Sequence, residues 1–106
     1  MRYYIVAFLA VILLSSCGEY QRAQKSNDIN YKFEYAKRAF EQKKYVQAAT
    51  LLEDCIAYFK GSDKAEESLY LLAMSHYENK DYVSSGAYFK TYYGRYPKGK
   101  YTEYIK

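Results

Sequence analysis

Two cysteines, one histidine and two pairs of adjacent carboxylates are the side chains of this 106-residue sequence that invite a chemical reading. Cys17, Cys55 and His76 are too few for a Cys/His zinc site with ordinary ligand spacing, so no metal is expected. His76 stands alone and falls on the apolar stripe of its helix, where packing rather than catalysis accounts for it. Glu53-Asp54 and Glu66-Glu67 are sequence neighbours, and neighbours point in different directions on a helix. A general acid–base pair has to converge on one substrate atom; these acids read as solvated surface. "YGRYPKGK" has glycines and lysines but neither a preceding strand nor the spacing of a phosphate loop. No nucleophile stands with a base, so no catalytic residue and no enzyme is expected.

Cys17 is different because of what precedes it. Met1-Arg2 is a short positive start, and Tyr3 to Leu14 is a run of 12 residues without a charge. A spanning helix needs roughly 20 apolar residues, and a buried amphipathic helix should show a polar face. A positive start, an apolar run of this length and then small residues fit a secretory signal. Leu14-Ser15-Ser16-Cys17 resembles the lipobox of bacterial lipoproteins. That resemblance implies cleavage before Cys17 and a covalent lipid on it, the one prosthetic group expected here. Each buried methylene contributes about 0.8 kcal/mol, and a single chain holds only marginally; the three acyl chains of such lipoproteins would hold durably. Gly18 stands where Asp would retain many lipoproteins at the inner membrane, which favours the outer membrane. Cys55 is then the remaining thiol, without an intramolecular disulfide partner, and reads as a small buried hydrophobe.

The elements around these residues are helical. Gly and Pro number five and one, while Ala, Leu, Lys, Glu and 16 Tyr supply most of the chain. The formal charge is +4; it is spread along the sequence, so nucleic acid is not an expected partner. Residues 18–28, "GEYQRAQKSND", show no period and read as a flexible tether. Then Ile29, Phe33, Ala36 and Phe40 form a helical stripe. A second follows at Tyr45, Ala48, Ala49, Leu52, Cys55, Ile56 and Phe59, ended by Gly61. Asp63 with Glu66 has the form of a capping box, and opens a third stripe of Leu69, Leu72, Ala73, His76 and Tyr77. A fourth runs Tyr82, Ser85, Gly86, Phe89, Tyr92, Tyr93 and Tyr96, followed by Pro97.

Adding 37 to each member of the second stripe gives the corresponding member of the fourth, from Tyr45 and Tyr82 to Phe59 and Tyr96. The breaks "QKKYV" and "NKDYV" align as well, and Ala36 and Phe40 map to Ala73 and Tyr77. Unrelated amphipathic helices share a period but seldom their small residues, so this is a repeated helix–turn–helix unit. Small residues at facing positions let helices approach closely. The pattern resembles the tetratricopeptide (TPR) repeat: small at its eighth place (Ala36, Ala73) and twentieth (Ala48, Ser85), large at its twenty-fourth (Leu52, Phe89), proline at its thirty-second (Pro97). It departs in having Lys60 where the first proline would be, and three extra residues per period, which lengthen the loop "KGSDKAE". The expected architecture is therefore all-α: a signal peptide over 1–16, a lipidated tether over 17–28, then TPR hairpins at 29–61 and 62–98 in a short right-handed solenoid. Residues 99–106 read as the opening of a third repeat, because Tyr101, Tyr104 and Ile105 start a new stripe. Two units are few for a solenoid, so the chain reads as the front of a longer protein or as one that leans on a partner.

A TPR array lines a concave groove with the first helix of each pair. The matching positions are Asn30, Phe33, Lys37 and Phe40 in the first repeat, and Glu67, Tyr70, Met74 and Tyr77 in the second. An aromatic, Met-bearing groove suits an extended or helical peptide. Tyr70 and Met74 lie off the main packing stripe and are the stronger candidates.

A lipobox, a short polar tether and TPR hairpins in this order resemble the BamD family of β-barrel assembly lipoproteins. The run "AEESLYLLAMSHYENKDYVSSGAYFKTYYGRYP" carries the most specific local likeness, and the resemblance spans residues 17–106 against the N-terminal part of that family. It implies a non-enzymatic scaffold anchored at the periplasmic face of the outer membrane. The implied partners are the barrel-forming subunit, unfolded outer-membrane proteins, and the membrane through the lipid. The alternative is another TPR lipoprotein of the cell envelope that binds peptide or glycan ligands; a hydrolase is disfavoured by the missing nucleophile–base pairs.

Overall fold

The computed structural model describes residues 18–102; the expected signal peptide over 1–16, Cys17 and residues 103–106, with Tyr104 and Ile105, lie outside that range. Every regular element in it is helical. Residues 18–25 form α1, followed by α2 (Ile29–Glu41), α3 (Tyr45–Tyr58), α4 (Asp63–Glu78) and α5 (Tyr82–Arg95). Consecutive helices from α2 to α5 pack as antiparallel neighbours, and α2 also touches α4. The amine of Lys64 donates to Asn30 Oδ1 at 2.7 Å, so the N-terminal ends of α2 and α4 lie side by side. Two helical hairpins are thus stacked in the same sense, as in a TPR array.

The 37-residue period holds down to the backbone. Lys43 and Lys80 both turn into the left-handed region, at φ 63 and 64. At each corner two amides close the preceding helix: Lys43 N on Phe40 O and Lys44 N on Ala39 O, then Lys80 N on Tyr77 O and Asp81 N on His76 O. The small residues do what their positions require. Ala36, Ala73 and Ala48 are fully buried, and Ser85 nearly so. Their places take no larger side chain without pushing the helices apart. Cys55 and its counterpart Tyr92 are both fully buried.

Two local expectations are corrected. Residues 18–25 are not an irregular tether. Ala23 is completely buried and Tyr20 packs against the core, its ring 6.4 Å from Tyr35. Lys32, on α2 and itself buried, reaches Gln24 O at 3.1 Å and Asp54 Oδ2 at 2.9 Å. One amine therefore joins α1, α2 and α3, and α1 covers the flank of the first hairpin. A face made of so few residues leaves no period to see. The capping box at Asp63 and Glu66 is also absent. Ser62 occupies the cap position without a side-chain bond, and Asp63 is already helical. Glu66 is engaged elsewhere: its Oε2 accepts from Tyr92 Oη at 3.2 Å and from Lys100 N at 3.0 Å. Gly61, at φ +89, does end the first hairpin, in a conformation that glycine enters at least cost.

Candidate functional site

The eight groove positions fall into three groups. Phe33 belongs to the core: it is 2% exposed and packs edge-on against Phe59, with centroids 5.5 Å apart. Its place in the groove is corrected, because Lys37 closes over its ring at 4.7 Å while pairing with Glu34 at 3.1 Å. The half-buried Phe40 packs edge-on against Tyr45 at 5.4 Å. Asn30, at the rim, is occupied by the Lys64 amine.

In the second hairpin the same places are more open. Tyr77 is half exposed and meets Tyr82 edge-on at 5.5 Å. Met74 and Glu67 are partly accessible. Tyr70 does not project freely into the groove, because Tyr101 stacks on it at 4.2 Å and 6°. Glu67 lines a cleft of about 320 Å³ with Glu66, Lys64, Lys100 and Tyr101. The structure thus brings Glu67, Tyr70 and Tyr101 together near the start of α4, with Met74 and Tyr77 following along the same helix.

Sequence reasoning missed Tyr101 and Glu66 as parts of this surface. Tyr101 N donates to Tyr92 Oη at 3.0 Å, and that hydroxyl in turn donates to Glu66. The corner after α5 is thereby fastened to α4. Burial pushes the Tyr101 and Tyr92 hydroxyls above the ordinary phenol range, with Glu67 and Glu66 adding to it for Tyr101. Both are neutral donors at physiological pH. The signal for Tyr101 was present in its stripe; that for Glu66 was absorbed by the capping pattern.

The remaining chemistry-bearing side chains are packing groups. Burial pushes the Cys55 thiol up to about 11. It stays protonated near neutral pH and is a poor nucleophile. His76 stacks on Tyr88 with centroids 5.4 Å apart, its Nδ1 3.6 Å from Asp81 Oδ2. Among the described residues no group of three His, Cys, Asp or Glu is placed to hold a metal ion, and no helix is long and apolar enough to cross a membrane.

Residues 24–106 match the sequence pattern of one protein family, YfiO, described as an outer membrane lipoprotein. No curated protein and no solved structure shows significant similarity to the chain.

Proposed function

The chain belongs to the YfiO family of outer membrane lipoproteins, and from that premise we propose that it is a non-enzymatic scaffold of β-barrel assembly. On this reading Cys17 carries the lipid and holds the helical array at the periplasmic face of the outer membrane. The array binds the barrel-forming subunit and receives unfolded outer-membrane proteins. The observation that carries it is the face of α4, where the half-exposed Tyr77, Met74 and Glu67 follow one another beside the Tyr70–Tyr101 stack. An aromatic and thioether surface bounded by a carboxylate suits the aromatic-bearing C-terminal segment of a barrel protein.

Depleting the full-length protein should lower outer-membrane barrel proteins broadly. A defect confined to one nutrient pathway would instead identify a ligand-capture lipoprotein. Met74→Ala with Tyr77→Ala should weaken binding of a barrel-protein C-terminal peptide about tenfold, roughly 1.4 kcal/mol. These two side chains are partly exposed, so the fold survives their loss, and unchanged affinity would move the peptide site elsewhere. Cys17→Ala should give an unprocessed or soluble product.

A further inference from the structure

The N-terminal end of the described chain and a group of exposed apolar side chains, Val46, Tyr82 and Val83, lie on the same edge of the solenoid. Helix α1 runs antiparallel to α2: Gln24 meets Lys32, Tyr20 meets Tyr35, and Glu19 shares a small cleft with Arg38, Gln42 and Lys44. Gly18, to which Cys17 is bonded, therefore leaves the fold beside the α2–α3 corner. Because α2 and α4 run the same way, the α4–α5 corner occupies the same edge one repeat further on. Val46 and Val83, the equivalent residues of α3 and α5, are 64% and 87% exposed. Tyr82 is exposed beside Val83, and Lys43, Lys44 and Lys80 stand at the tips.

We propose that this edge, formed by the α2–α3 and α4–α5 corners, rests against the lipid surface to which Cys17 is anchored. The proposal rests on the lipidation of Cys17 and goes beyond it by fixing which part of the fold meets the bilayer. Tyrosine belongs at the boundary between headgroups and acyl chains, with an apolar ring and a wet hydroxyl. Lysine spreads its stem over apolar surface and keeps its charge among headgroups. Valine adds shallow apolar area. Glu41, Glu78 and Asp81 share the edge. The local charge is therefore nearly balanced, and the contact is interfacial rather than a polybasic attraction. Lys43 and Lys80 keep cationic side chains at left-handed positions where glycine would be easier to accommodate. The opposite edge carries Tyr58, 68% exposed, and Tyr31, 38% exposed, among Lys60, Asp63 and Lys64, with no large exposed aliphatic side chain among the described residues, and lies about 20 Å away along a 13-residue helix.

The test uses the full chain with its lipid, in vesicles of phosphatidylethanolamine and phosphatidylglycerol. A nitroxide is placed on Val46→Cys, Val83→Cys or, on the opposite edge, Lys60→Cys; the buried Cys55 does not compete for label. Labels at 46 and 83 should be several-fold less accessible to a water-soluble relaxation agent, and more accessible to oxygen, than the label at 60. Equal accessibility on both edges, with the lipid confirmed by mass spectrometry, would overturn the proposal and leave the anchor standing. Absence of lipid on Cys17 would overturn both. Protection at 83 that persists in Cys17→Ala protein without vesicles would assign the edge to a second copy of the chain and overturn the lipid contact. Val83→Asp in the 46-labelled protein, and Val46→Asp in the 83-labelled one, should narrow the difference between the edges in a wild-type-like fold, since both side chains are exposed.

Discussion

The two hairpins share a period and a backbone but not a burial pattern. In the first, Leu51, Leu52, Cys55 and Ala49 of α3 are buried between α2 and α4, and α1 covers the outer flank. In the second, only Ser85 and Tyr92 of α5 are buried. Gly86, at the place of Ala49, is exposed, and Phe89, at the place of Leu52, is half-buried. A solenoid unit needs a neighbour on each side to bury both of its helices. The first hairpin has α1 and α4 as neighbours. Among the described residues the second has α3 on one side and, on the other, the corner that Glu66 and Tyr92 hold in place. The repeated sequence sets the positions, and the neighbours decide how much each position is worth.

The strongest way to break this contrast is at the large residue of the second helix. Leu52→Ala should cost about 2–5 kcal/mol, and Phe89→Ala clearly less in spite of its larger side chain. Urea unfolding of the two variants reads the difference; equal losses would mean that α5 is as well covered as α3. Gly99→Ala comes next. A Cβ there would lie 2.5 Å from the Tyr92 hydroxyl and 2.8 Å from Tyr96 Cβ, so about 1–3 kcal/mol should be lost. Amide exchange should rise at residues 99–102 and leave α2 and α3 protected.

Ser85 sharpens the comparison from the other direction. Its hydroxyl is buried without a partner, whereas the first hairpin has Ala48 at that place. Ser85→Ala should therefore stabilise by about 1 kcal/mol, the burial cost of an unsatisfied hydroxyl. An unchanged or lower melting temperature would show that the hydroxyl is satisfied in solution. The smallest effect is at the corners. Asp81 caps α5 by accepting from Ser84 N, while its counterpart Lys44 offers no such bond. The bonds from Ser84, with a lesser contribution from His76, hold the Asp81 carboxyl below its ordinary range. A lowered carboxylate value means that its stabilisation is present above the ordinary range and is lost as pH falls through the folded value. On acidification below about pH 4, the Ser84 amide should lose protection and the equivalent Gln47 amide should not. Asp81→Asn should remove the dependence.

Much of the fold was legible because burial repeats with the chain. The spacing of Ala36 and Ala73, or of Cys55 and Tyr92, announces helix contacts within each hairpin. What was not legible depends on partners distant in sequence. Glu66 followed Asp63 by three residues and looked like a local cap, but the residues that claim it lie 26 and 34 positions later. Helix α1 has too few apolar residues to show a period; its stability comes from Lys32 and the surface of α2. Phe33 and Tyr70 hold the same repeat position, and sequence alone assigned both to the groove. The ring of Phe59 and the stem of Lys37 enclose the first, while Tyr101 stacks on the second without burying it. The lipobox reading rests on residue order alone and falls outside the described residues.

The hydroxyl of Tyr92 and the carboxylate of Glu66 also say something about the order of assembly. Both belong to the α4–α5 hairpin, so closing that hairpin puts both in position, and residues 99–102 are expected to dock onto it afterwards. The incoming chain supplies two backbone amides, Lys100 N and Tyr101 N, and a glycine small enough to pass the hydroxyl. A finished hairpin is therefore a template for the turn that follows it. Growth from the N-terminal hairpin outward is the direction in which a chain is synthesised.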